Sequence, residues 1–133
     1  MPKKTKRKKP KKFKISDLVD WWSIPHFMFG VVAALITIVF SLPELMTLYV
    51  TLFLAVVWEV MERKFKLAEA AGNPAFDVFL PLSAFAMTFF LIDRAPLNHD
   101  HHVGLLAATL ILYAIISLIS WRARYFSDPD FLG

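Results

Sequence analysis

The sequence predicts an all-α polytopic membrane protein: a four-transmembrane-helix bundle with both termini in the cytoplasm. Three observations carry this expectation. Apolar residues make up 57% of the 133 positions and fall into four long runs. Charged residues are only 20% of the chain and gather in blocks between those runs, where a soluble domain would spread about a quarter of its residues as charges. The basic residues are also distributed very unevenly about the four runs, which sets an orientation.

Residues 1–14, MPKKTKRKKPKKFK, hold nine Lys or Arg and no acid, leaving six basic against eleven acidic groups in the remainder. The net charge of +4 therefore belongs to a tail. Like charges at this density repel and bury nothing, so the tail is expected to be disordered in solution. The basic stretch is too long for a secretory signal peptide, and no small-residue cleavage site follows the first apolar run. Clustered Lys and Arg beside a span bind anionic phospholipid headgroups at about 1 kcal/mol per residue. Nucleic acid is the poorer partner, because no aromatic interleaving or folded motif accompanies the charge.

The membrane domain is expected over residues 15–125, with a cytoplasmic C-terminal tail at 126–133. Its first part, ISDLVDWW, is amphipathic: Ile15, Leu18, Val19 and Trp22 share one helical face, and the paired Trp residues suit the headgroup layer. The first span runs roughly Trp22–Leu42, and Ser41-Leu42-Pro43-Glu44 reads as a tight turn. The second, roughly Leu45–Val60, is the shortest and reaches crossing length only with Glu59 inside the helix. A charged stretch ends at Gly72-Asn73-Pro74, where Asn as N-cap and Pro at the first helical position open the third span, Pro74–Ile92. DRAPLNHDHH precedes the fourth, Val103–Trp121. Gly30 with Ala34, and Gly104 with Ala108, are spaced four apart as helix-packing faces often are.

With the N-terminus inside, the cytoplasm receives the nine tail residues together with Arg63, Lys64, Lys66, Arg122 and Arg124, while the outside receives only Arg94. Four spans keep this asymmetry and three would spoil it. The implied location is the inner (cytoplasmic) membrane. The chain has no cysteine, so neither disulfides nor thiol chemistry arise.

This topology sorts the polar residues into two layers. Near the outer side lie Asp93, Arg94, Asn98, His99, Asp100, His101 and His102; three imidazoles within four residues recur in metal sites, although Asn98 or Asp100 capping the fourth span accounts for the composition equally well. Near the cytoplasmic side, His26, Glu59, Glu62 and Asp77 come from three spans at similar depth. Ionisable groups at such depth are costly and usually face the interior of the bundle or a wet cavity. Imidazole with carboxylates suits a divalent metal ion of the zinc, manganese or iron type. The plainer reading makes Glu59–Arg63 and Glu62–Lys66 i,i+4 ion pairs in the favoured order. Pro81 removes the helical partner of the Asp77 carbonyl, which places a kink beside that carboxylate. No P-loop, G-x-S-x-G, H-E-x-x-H or dinucleotide fingerprint is present.

His26-Phe27 after Asp20, Glu59 and Glu62 closing the second span, and Asp77 opening the third resemble the VanZ-like group of small bacterial membrane proteins. The likeness covers roughly residues 20–77. It departs at Glu62, where that group usually has Gln, and at Leu80-Pro81, where it has Asn one turn after the Asp. The resemblance implies an envelope-associated protein, glycopeptide resistance being the role known for some members.

The sequence thus points to a cytoplasmic-leaflet polar site that binds a cation or a lipid headgroup. An enzymatic version would be metal-assisted hydrolysis or transfer on a phospholipid. The alternatives are a small transporter or channel working as a homo-oligomer, and a structural or holin-like subunit in which the inner charges only set topology. The absence of any ionisable residue at mid-membrane depth weighs against the transporter.

Overall fold

The computed structural model describes residues 22–64 and 73–127, so the basic tail, most of the amphipathic stretch, the loop containing Lys66 and residues 128–133 lie outside the described residues. Four α-helices account for nearly all of what is described: α1 (Ser23–Val39), α2 (Glu44–Lys64), α3 (Asn73–Asp93) and α4 (His99–Ser127). The described residues contain no strand, and α2, α3 and α4 are long and apolar enough to cross a membrane. α1 is apolar but has 17 residues, about 26 Å at the helical rise.

Several helix boundaries have a local cause. Pro25 sits in the first turn of α1, where its missing N–H costs nothing. At the other end Leu42 N–H bonds Thr37 C=O at 2.9 Å and Ser41 N–H bonds Ile38 C=O at 3.3 Å, a Schellman closure with Ser41 at a left-handed φ of 49°. Pro43 then stops any continuation, and Glu44 opens α2. α2 runs on past Glu59 to Lys64, giving 21 residues. Asn98 caps α4 by accepting the His101 N–H at 2.9 Å, so the first turn of α4 is made by His99, Asp100, His101 and His102 rather than by a loop.

α1 is the central helix. It packs against each of the other three, most extensively against α3 and next against α4, while α2 rests on α3. α4 makes no extended interface with α2 or with α3. The closest seam is at Gly30, where an added Cβ would lie 2.0 Å from the carbonyl oxygen of the fully buried Pro81. Ala34 and Ala84 continue the seam with no exposed surface. Gly30 therefore permits backbone-to-backbone approach. Gly104 does not: a Cβ there meets nothing within 4 Å, and both Gly104 and Ala108 are exposed, so that spacing marks no packing face within the described chain.

Toward the far end of α1, Val32, Leu35 and Leu106 form a small core. Elsewhere the polarity is inverted relative to a soluble protein. Phe53 is 66% exposed, Leu118 70% and Ile119 58%, and similar side chains cover the outer faces of α2, α3 and α4. Such a surface suits a hydrocarbon surrounding, where apolar exposure carries no penalty.

Candidate metal centre

The start of α1, the end of α2 and the start of α3 meet at one end of the molecule. His26, Glu59 and Asp77 each lie three to five residues in from a helix terminus, about 5–8 Å along the axis. All three are buried, Asp77 completely. One ligand atom from each lies within 4.8 Å of the other two. Among the described residues no other set of three His, Cys, Asp or Glu converges in this way, the His99–His102 segment included.

Hydrogen bonds fix how the imidazole presents itself. His26 Nδ1 is 2.9 Å from the Trp22 carbonyl oxygen, which can only accept, so Nδ1 carries the proton. Nε2 then faces Glu59 Oε1 at 3.5 Å. A metal-binding histidine is held in the same manner, one nitrogen donating to a backbone carbonyl and the other offering its lone pair. Ser23 donates its hydroxyl to Asp77 Oδ1 at 3.1 Å, fixing one carboxylate oxygen from α1. The register of the helices makes this possible. Gly30 lies one turn after His26 and Pro81 one turn after Asp77, so the tight Gly30–Pro81 seam holds α1 and α3 together directly below the site.

The set offers one imidazole and two carboxyl groups, a donor mix that suits a divalent ion. Two ligands at about 2.0–2.2 Å from one ion lie at most about 4.4 Å apart. In a tetrahedral site such ligand atoms lie about 3.3–3.6 Å apart, so the members of the set that are farther apart than this would have to draw in around an ion. The spacing across His26 and Glu59 needs no such change.

Glu62 is brought to the same end but stands outside the converging set, beside two indoles. It is buried and accepts the indole N–H of Trp58 at 2.7 Å and that of Trp22. Both Glu59 and Glu62 are buried on the side facing α1, while Arg63 is exposed, so neither acid is a solvated helix-end charge. Lys66, the sequence partner considered for Glu62, lies outside the described residues.

Three residues around the site were not assigned to it from sequence: Trp58, Trp121 and Ser23. The rings of Trp22 and Trp58 stack at 6.3 Å, and Trp121 meets Trp22 edge-on at 5.3 Å and Trp58 at 6.5 Å. The Trp58–Glu62 pair has helical i,i+4 spacing and was detectable in principle. Ser23 and Trp121 carry no such signal, because their partners are distant in sequence.

No family model, no curated protein and no solved structure matches this chain. The arrangement of the side chains therefore carries the functional argument alone.

Proposed function

We propose that this chain is a four-span protein of the cytoplasmic membrane, both termini inside, that holds a divalent cation on His26, Glu59 and Asp77 in the cytoplasmic leaflet and engages a lipid headgroup there. The observation that carries the site is the meeting of three buried ligands from three helices within 4.8 Å, the imidazole already oriented through Nδ1. The fourteen-to-one asymmetry of basic residues supports the orientation. Glu62 acts through the tryptophans: it holds Trp22, whose carbonyl holds His26. The likeness to VanZ-like proteins agrees with an envelope role.

The site is tested by thermal unfolding in detergent with and without Zn(II) or Mn(II), comparing the parent with Glu59→Leu, Asp77→Leu and the double variant. A ligand at a hundred times its Kd stabilises the folded state by about 2.7 kcal/mol. The parent is expected to shift, and each single variant to lose the shift. The double variant should lose no more, since partners in one site couple. A metal-dependent shift that survives both substitutions would remove this site. For topology, reporter fusions after Lys66 and Arg124 should read cytoplasmic, and one after Leu97 external; an external C-terminus would sink the four-span arrangement.

A further inference from the structure

A cavity of about 650 Å³ lies between α2 and α4, floored by α1. It exists because α2 leans on α3 and α4 leans on α1, leaving no extended interface between α2 and α4 themselves. Its walls are mainly apolar, with Leu54, Val57 and Met61 on one side and Leu110 and Ala114 on the other, and the hydroxyls of Tyr113 and Ser117 are the polar groups of the α4 wall. At one end the Trp22, Trp58 and Trp121 rings meet across the gap, and His26 stands beside them in the lining.

Three considerations decide what fills it. The volume falls in the range of about 300–1,000 Å³ typical of small-molecule sites. Water needs two to four polar partners; the Tyr113 and Ser117 hydroxyls can hold a water at one point of the α4 wall, but the rest of the mainly apolar lining gives no partners for water to fill the volume. A helix of a partner chain, about 10–12 Å across with its side chains, would fill this volume with only about one to one and a half turns. The outer faces of α2 and α4 that flank the opening are apolar, so the medium that reaches the cavity is hydrocarbon. The tryptophan end differs. His26 joins the cavity to Glu59 and Asp77, and the exposed cations Arg63, Lys64 and Arg122 stand at the same end of α2 and α4.

From this juxtaposition we infer that the cavity seats one hydrocarbon chain of an anionic phospholipid, with its phosphate headgroup at the His26 end. The chain part stands on the cavity and the cations alone. The headgroup contact rests on the metal reading: three protein ligands leave a coordination position for an oxygen donor, as in metal centres that take substrate.

Three of the four tryptophans line the cavity, which supplies the readout. The full chain is reconstituted in phosphatidylcholine vesicles containing increasing fractions of phosphatidylglycerol brominated along its chains, and quenching of tryptophan fluorescence is followed. A bound chain gives quenching that saturates at low mole fraction, is weaker for brominated phosphatidylcholine, and is not displaced by inorganic phosphate. Ala114→Phe fills the cavity from an exposed wall position, so the fold tolerates it. It should raise the half-saturating fraction about tenfold or more, since a phenyl ring displaces at least two methylenes. Quenching that tracks bulk mole fraction without saturating, equal quenching by the two brominated lipids, or an Ala114→Phe curve identical to the parent would each overturn the inference. Saturable, anionic-selective quenching that is unchanged by a chelator upholds the chain site even where the thermal-shift test has removed the metal.

Discussion

Replacing Gly30 by Ala is the most incisive single change the structure offers, because its cost falls on backbone. The new Cβ would lie 2.0 Å from the Pro81 carbonyl oxygen and 2.7 Å from the Pro81 carbonyl carbon and Cα, against an ordinary contact of 3.4 Å or more. No side chain can rotate away, so α1 and α3 must separate by more than an ångström. Overpacking a close-packed seam usually costs about 1–3 kcal/mol, and a backbone overlap of this size stands at the top of that range. The better helix propensity of Ala returns about 1 kcal/mol, leaving a net loss of about 2 kcal/mol. That corresponds to roughly 5–10 °C in Tm for a chain of this size. Gly104→Ala is the matched control: it gains the same propensity with nothing within 4 Å to meet, and should melt at or above the parent. The site should also suffer in Gly30→Ala, because Ser23 and His26 move away from Asp77 as the helices part, and the metal-dependent shift should weaken. Thermal unfolding of the three proteins in one detergent decides the matter. If Gly30→Ala melts with or above the parent, the seam is not as close as described and its role below the site is lost.

Three further changes follow from local geometry. Ser41→Gly relieves the left-handed φ of 49° at the end of α1 and should raise Tm slightly, since αL costs a non-glycine residue about 1–2 kcal/mol and the more flexible unfolded chain returns part of it; a lower Tm would contradict the Schellman closure. Glu62→Leu removes the acceptor shared by the Trp22 and Trp58 indoles and should destabilise by about 2–3 kcal/mol with altered tryptophan emission, whereas Glu62→Gln should keep most of the stability; emission unchanged in both would remove Glu62 from the cluster. Deleting Met1–Lys12, which carries eight of the nine basic residues of the tail, should leave the melt in neutral detergent unchanged and weaken binding to anionic vesicles; a Tm loss like that of Gly30→Ala would show that the tail packs on the helices.

Much of the fold was legible because its determinants are local. Pro43, the Asn73-Pro74 pair and Asn98 punctuate the apolar runs, and the four helices begin and end near them. Depth was legible as well, since counting residues from helix ends places His26, Glu59 and Asp77 at one level. Facing was not. Glu59 and Glu62 are three residues apart on one side of α2, yet one turns to an imidazole and the other to two indoles, a choice made by where Trp22 lands. Small-residue spacing was equally ambiguous. Gly30–Ala34 and Gly104–Ala108 share a pattern, but only the first meets another backbone, and it does so because Pro81 stands opposite. The cavity had no sequence signature, since it arises from an interface that two helices do not make.

The Gly30–Pro81 contact also divides the molecule mechanically. Where two backbones touch without intervening side chains, there is little soft material to compress, so α1 and α3 behave as one stiff plank. α4 packs mainly along α1, and its own glycine, Gly104, makes no contact of this kind. His26 and Asp77 therefore ride on one rigid body, while Glu59 reaches them from α2, whose packing against α1 and α3 is lighter than theirs against each other.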